Sequence, residues 1–213
     1  MGDTVGSAST DFCKLVIDKN VAYAIGLWCA DGYHRTSSIG LSNTDPDLIH
    51  TFSEFLLGLF PQERLKIRIY EPDAYKRRTR AYHVYVNCRP LLRKFMAYKN
   101  IELSLSRKFI PAYFAGRFDG DGSVATDFYR DCRIVYGSRR EAERDFEFAK
   151  QIGFKNCKIY VYKKARTFCL YFSRMETNRF LSLIYPYSVR LQKSVFVPRR
   201  DLIRLTSDQM AIF

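Results

Sequence analysis

The chain lacks most of the devices by which proteins hold structural metals, cross-link themselves or enter membranes. Its six cysteines (Cys13, Cys29, Cys88, Cys132, Cys157 and Cys169) include no Cys-x-x-Cys pair, and His34, His50 and His83 stand near none of them in zinc-finger register. Neither structural zinc nor a disulfide framework is expected. Cys29 and Cys169 lie in apolar runs and read as buried free thiols of a reducing compartment. The longest apolar run, Val21 to Ala30, is too short to span a bilayer. The opening MGDTVGSAST has no basic leader region, and Gly6 occupies the place where a myristoylation signal needs Ser or Thr. An intracellular protein without a membrane partner is the expectation. Acidic residues are also scarce, 22 against 35 Lys and Arg, which leaves a formal charge of +13. That excess fits a polyanionic partner, nucleic acid first and an anionic membrane surface second. With 47% apolar residues in 213, the chain has material for a packed core in one or two domains, which excludes wholesale disorder.

One short pattern is written twice. Ala24 to Gly32 reads AIGLWCADG, and Phe114 to Gly122, ninety positions on, reads FAGRFDGDG. If both are helical, Gly26 and Ala30 fall one turn apart on one face, as do Gly116 and Gly120. Two helices can then pack backbone to backbone along a Gly26/Gly116 seam. Gly32 and Gly122 stand where the helices end, so a left-handed cap is expected at each. Asp31 and Asp121 land in the last turns, where the macrodipole disfavours a carboxylate by roughly 0.3–1 kcal/mol. Side-by-side helices would also bring the two acids together as like charges. A divalent cation held between the carboxylates resolves both conflicts. The plain alternative is a pair of helix ends with surface Asp-Gly turns, and the second copy is what tells against it.

The sequence around the two copies repeats as well. A small polar lead-in (1–18) precedes a first half (19–106) and a second half with a C-terminal extension (107–213). In the first half a hairpin is expected over Tyr33–Leu41. A helix follows over 46–59, with Leu48, Ile49, Phe52, Phe55 and Leu56 at helical spacing. Arg64, Lys66, Arg68 and Tyr70 then alternate with Leu65, Ile67 and Ile69, a strand with one basic face and one apolar face for the core. After an exposed loop from Pro72 to Thr79, Arg80–Val86 forms a second strand with His83 and Tyr85 on the side opposite Tyr82, Val84 and Val86. Pro90–Tyr98 reads as a short helix. In the second half, Arg139–Gln151 is a charged helix with Phe146 and Ala149 inward, and Lys158, Tyr160 and Tyr162 alternate with Ile159 and Val161. RTFCLYFS from Arg166 repeats RAYHVYVN from Arg80, with Tyr171 in the place of Tyr85. The fold class is therefore α+β, two halves each built on an antiparallel sheet. The free faces carry Arg64, Lys66, Arg68, Tyr70, Arg80, His83, Tyr85, Lys158, Tyr160, Tyr162, Arg166 and Tyr171. Strand ribbons with such faces fit the major groove. A solvated charged face is the alternative for any one strand, and the same bias in both halves favours DNA.

At these motifs the sequence resembles the LAGLIDADG homing endonucleases, in their single-chain, two-motif form. Gly26, Leu27, Ala30, Asp31 and Gly32 agree with the pattern in the first copy, where Cys29 replaces the usual acid. In the second, Ala115, Gly116, Asp119, Asp121 and Gly122 agree, and Arg117 replaces an apolar residue. The resemblance spans roughly residues 20–197. It implies two αββαββα halves about a pseudo-twofold axis, with both sheets forming a saddle over double-stranded DNA. It implies cleavage by a monomer using Mg2+, with Mn2+ or Ca2+ as substitutes in the site, held by Asp31 and Asp121 and the backbone carbonyls of Ala30 and Gly120. It further implies amide and basic groups around the attacking water, assigned to Asn43 and to Lys193 or Arg190, with Arg107 and Lys108 as their first-half counterparts. A non-cleaving binder on the same scaffold, an intron RNA maturase or a transcription regulator, is the alternative function.

Overall fold

A computed structural model of the chain describes residues 15–34, 37–72, 79–125 and 131–193. Most of the expected lead-in, the middle of the loop after Pro72 and most of the C-terminal extension lie outside the described residues. The first helix, α1 (Lys19–Asp31), begins at Asp18, whose carboxylate accepts the Val21 N–H at 2.8 Å. The chain then enters β1 (Gly32–Tyr33), which pairs antiparallel with β2 (Ser38–Asn43). Asp45 caps α2 (Pro46–Leu57), and Pro46 occupies the first turn, where its missing N–H costs nothing. β3 (Lys66–Tyr70) and β4 (Ala81–Asn87) complete a four-stranded antiparallel sheet in the order β1-β2-β4-β3. α3 (Arg89–Ala97) runs into a π-helical turn, Tyr98–Glu102, and a 3-10 turn, Arg107–Phe109, leads into α4 (Ile110–Asp121).

The second lobe repeats this plan. β5 (Gly122–Val124), β6 (Cys132–Tyr136), α5 (Arg139–Gln151), β7 (Lys158–Tyr162), β8 (Thr167–Phe172) and α6 (Arg174–Ile184) follow in turn, with sheet order β5-β6-β8-β7 and a short final α7 (Val189–Lys193). The α+β class with two sheet-bearing halves is the architecture read from the sequence.

The lobes meet where α1 packs on α4. A Cβ at Gly26 would lie 2.0 Å from the Tyr113 carbonyl oxygen, and one at Gly116 would lie 2.1 Å from that of Tyr23. Both helices are buried almost throughout, so the seam is continuous with the core of each lobe. The helix-facing side of each sheet supplies the rest, through Ile39, Leu41, Val84 and Val86 in one lobe and Ile134, Tyr136, Leu170 and Phe172 in the other.

Three expectations need correction. Gly32 (φ −63°, ψ 130°) and Gly122 (φ −85°, ψ 152°) are extended, not left-handed, because the chain passes straight from helix into strand. Glycine is required there for space, since a Cβ would lie 2.2 Å from the Trp28 carbonyl oxygen in one case and 2.3 Å from the Phe118 ring in the other. The apolar side of β3 is not core: Ile67 and Ile69 are 61% and 55% exposed, because the helices cover β2 and β4 and leave the edge strand overhanging. On α5, Phe146 is only half-buried beside the buried Ala149, while Glu141, Asp145 and Phe148 also turn inward.

Candidate active site and nucleic-acid interface

The seam brings the ends of α1 and α4 together, and with them Asp31 and Asp121. A Cβ at Gly120 would lie 2.3 Å from Ala30 Cβ and 3.1 Å from Asp31 Oδ2, so the small-residue pair lets one acid sit against the other helix's last turn. Burial raises the Asp31 carboxyl above the usual carboxylate range, opposed by the Asn43 hydrogen bond and by the charges of Arg117, Arg190 and Lys99. Asp121 is raised by burial too, with Arg117 acting against the shift and the negative charge of Asp31 adding to it. The two carboxylates are close enough to repel.

Asn43, at the end of β2, donates from Nδ2 to Asp31 Oδ2 at 2.8 Å and accepts the Asp45 N–H on Oδ1 at 2.8 Å, so its amide is fixed in orientation. Arg190 donates from Nη1 to the carbonyls of Phe118 (3.1 Å), Asp119 (3.0 Å) and Gly122 (3.2 Å), placing a cation on the negative end of α4. Asp31, Asn43, Asp45, Asp119, Gly120 and Arg190 line one open cavity of about 500 Å³. Lys193 is held at the rim of this cavity: its ammonium pairs with Asp45, one of the lining residues, at 3.2 Å and with Asp47, at the start of α2. Among the described residues no three His, Cys, Asp or Glu side chains converge as metal ligands. The donors at hand are the two carboxylates, and Ala30 and Gly120, whose carbonyls were expected to join them, directly precede them in the same last turns. This all-oxygen set fits a hard divalent cation that keeps water and phosphate oxygens in its remaining positions, as Mg2+ does.

Sequence reasoning missed two groups. Asp119 is buried and accepts the Tyr23 hydroxyl at 2.7 Å and the Val189 N–H at 2.8 Å on Oδ2, and the Ser188 hydroxyl on Oδ1. It ties α7, which carries Arg190, to the seam. The signal was present, since position 119 keeps the acid that Cys29 replaces in the other copy. Lys99 donates from Nζ to the Cys29 carbonyl at 2.8 Å and does for α1 what Arg190 does for α4. Its field favours ionisation of both Asp31 and Asp121, a place the sequence reading assigned to Arg107 and Lys108. Those two lie in the 3-10 turn before α4. Nothing in the local pattern marks Lys99, because the π-helical turn and Arg144 of α5 set its position. Arg144 donates to the Tyr98 and Lys99 carbonyls at 2.6 and 3.2 Å.

The open faces of the sheets carry most of the residues expected there. Register pairs Lys66 with Tyr85, Arg68 with His83 and Tyr70 with Ala81 on one face. His83 is only 2% exposed, with ring centroids 4.1 Å from Tyr33 and 4.8 Å from Tyr85, and Arg68 lies 5.3 Å over the Tyr85 ring. Burial, then the Arg68 charge, holds the His83 imidazole below its ordinary pKa. His83 and Tyr85 are thus the floor of an aromatic cluster, not free groups. Arg64 is not on the strand: it lies in a 3-10 turn and donates to the Asn87 carbonyl at 3.0 Å. Arg80 pairs with Glu71 at 2.8 Å, and Arg166 forms the β7–β8 turn with φ 50°. In the second lobe, Lys158, Tyr160 and Tyr162 share a face with Tyr171, and the Tyr160 and Tyr171 rings meet edge-on at 5.3 Å.

Comparison with known proteins bears on the first lobe and on the whole fold. Residues 18–99 match the family model described as a LAGLIDADG-like domain. No curated protein sequence matches the chain. Similar solved structures include I-DmoI in complex with DNA and Mn, at 17% identity and TM-score 0.59 over 78% of this chain and 96% of that one. Another is I-WcaI bound to its DNA recognition sequence, at 12% identity and TM-score 0.56 over 80% and 82%. A third is the N-terminal LAGLIDADG domain of DUF199/WhiA, at 16% identity and TM-score 0.57 over 82% and 86%. At such identities the likeness is one of fold. Residues 18–99 thus match a LAGLIDADG-like domain, and the chain as a whole shares the two-lobed fold seen in I-DmoI.

Proposed function

We propose that the chain is a site-specific, divalent-metal-dependent endonuclease that cuts both strands of a long DNA target as a monomer in a reducing intracellular compartment. The observation that carries this reading is the pair of carboxylates, Asp31 and Asp121, brought together at the ends of two directly packed helices. Both are half-buried and mutually repelling, and that arrangement is costly without a cation. One chain supplies both acids, so no second copy is needed. The lobes act as units of residues 19–106 and 107–213.

Asp31 and Asp121, with the carbonyls of Ala30 and Gly120, would hold Mg2+, or Mn2+ or Ca2+ in its place. Bound there, the ion acidifies a water and stabilises charge on phosphate oxygens. The chain's own groups do the rest. Asn43 holds the Asp31 carboxylate in one orientation through its 2.8 Å hydrogen bond. Arg190 and Lys99 set positive charge on the two helix ends, where a phosphate would approach. The open faces, with Lys66, Arg68, Lys158 and the tyrosines, take the duplex on either side, where neutralised phosphates supply affinity and base edges supply choice.

The test is incubation with a randomised duplex library and Mg2+, followed by sequencing of cut ends. Wild-type protein should leave double-strand ends with a fixed stagger, and Asp31→Asn should leave none while still shifting the same duplexes on a gel. Wild-type binding without any cutting would instead establish a maturase-like or regulatory binder.

A further inference from the structure

The open face of the second sheet holds an arginine that none of the expected contacts includes. On β6, Ile134 and Tyr136 point into the core, so Arg133 points to the other side, the side of Tyr171 and Lys158. Its Nε and Nη2 both donate to Asp131 Oδ2, at 2.9 and 2.6 Å. Asp131 is buried, at 2% exposure, while the Arg133 side chain is 44% exposed. The guanidinium also lies over the Tyr171 ring, 5.9 Å from its centroid. One edge of the fork is therefore anchored to a buried carboxylate. The other edge, Nη1 and the outer N–H of Nη2, is left to face whatever covers the sheet.

Charge and geometry separate this residue from the cations around it. Asp131 cancels most of the Arg133 charge, which makes the pair a poor phosphate clamp. A guanidinium fixed on one edge by an anion keeps two parallel N–H donors in one plane, the pattern that matches O6 and N7 of guanine in the major groove. Register places Ser123, Arg133, Tyr171 and Lys158 in one row across the second sheet, and Tyr33, Gly40, Tyr85 and Lys66 in the matching row of the first. The residue equivalent to Arg133 is thus Gly40, where a Cβ would lie 2.3 Å from the Val84 carbonyl oxygen and 2.6 Å from Tyr85 Cβ. No donor can be mounted there.

We infer that Arg133, held by Asp131, reads a guanine in the half of the target under the second lobe, and that the first lobe makes no counterpart contact. This rests on the DNA-binding part of the reading above. It makes the target asymmetric, with a guanine demanded on one side of the cut and a tolerant position at the mirror-related place.

The experiment is selection of bound duplexes from a randomised library by the full chain with Ca2+, sequenced for wild type, Arg133→Ala, Arg133→Lys and Asp131→Asn. Wild type should fix one guanine on one side only. Arg133→Ala should reduce that preference about tenfold or more, with an almost unchanged salt slope. Arg133→Lys should lose most of the preference, since a point charge lacks the fork, and Asp131→Asn should weaken it while binding persists. An unchanged guanine preference in Arg133→Ala would overturn the inference while leaving the nuclease reading intact. So would a uniform loss of affinity with a falling salt slope, the mark of a phosphate contact. A wild type that binds no duplex would overturn both.

Discussion

The interior of the first lobe at Leu27, Leu48 and Phe52 is hydrocarbon, and at the matching positions of the second lobe stand Arg117, Glu141 and Asp145. Arg117 is 1% exposed, lies 3.4 Å from both Glu141 and Asp145, and sits 4.4 Å over the Tyr136 ring. A second difference explains the first. Tyr23 of α1 donates its hydroxyl to Asp119, whereas its repeat partner Tyr113 faces Cys29, where the motif usually has an acid. Tyr113 instead donates to Asp145 at 2.9 Å, a carboxylate supplied by α5. The acid lost at one position of the repeat has been replaced from another helix, and Arg117 and Arg144 balance its buried charge. The two departures in the motif, Cys29 and Arg117, are parts of one rearranged core contact. A repeat can therefore keep its backbone symmetry while its two interiors solve the same hydrogen-bonding requirement with different chemistry.

If the acids act as a pair spanning the lobes, Asp31→Asn and Asp121→Asn should each reduce double-strand cleavage by about a thousandfold or more, with DNA binding retained. Plasmid nicking assays would show whether either variant still cuts one strand efficiently, which would mean that each lobe works alone. The ionic interior should be brittle where the apolar one is not. Arg117→Leu leaves buried carboxylates underpaired and should cost about 3–5 kcal/mol in denaturant unfolding. The quadruple variant Cys29→Asp, Arg117→Leu, Glu141→Leu, Asp145→Phe, which copies the first lobe and returns an acid for the Tyr113 hydroxyl and Arg144, should recover most of that loss, and a quadruple variant as unstable as the single one would break the proposed equivalence.

At the seam, Gly26→Ala and Gly116→Ala should each destabilise by about 1–3 kcal/mol and by similar amounts, since both face a carbonyl oxygen at nearly the same distance. Very different values would deny the two-fold relation. The carboxyls of Asp31 and Asp121 have raised pKa values in the folded chain, so their contribution favours the folded state below the unfolded carboxylate range and is lost as pH rises through the folded value. In EDTA at pH 8, Asp31→Asn should therefore stabilise the protein, by up to about 1 kcal/mol. That gain should vanish near pH 3.5 and reverse when a divalent ion is added. Arg68→Ala and Lys158→Ala, one on each sheet, should each flatten the salt dependence of DNA binding by about one unit of slope and leave stability within about 0.5 kcal/mol. A slope that responds to only one of them would assign the electrostatic contact to a single lobe.

The paired glycines, the paired acids, the strand faces and the two-half plan were all legible in the chain before any coordinates. Each rests on a period of two or of about four residues, and such periods are set by backbone geometry that neighbouring residues share. Even there, space was misread as conformation at Gly32 and Gly122, because a glycine tells only that a Cβ is forbidden and not what forbids it. The orientation of Asp31 by Asn43, the cation supplied by Lys99, the anchoring of α7 by Asp119, the burial of His83 and the pinning of Arg133 by Asp131 were not legible. Most of these join residues far apart in the chain, and the last depends on which side of β6 is left open. The sequence alone determined which residues repeat and which face of each element is apolar. Only the packing of α1 on α4 and of the helices on the sheets decided which charges meet, because distance and burial between separate elements set the strength of an ionic contact, and no local pattern records either.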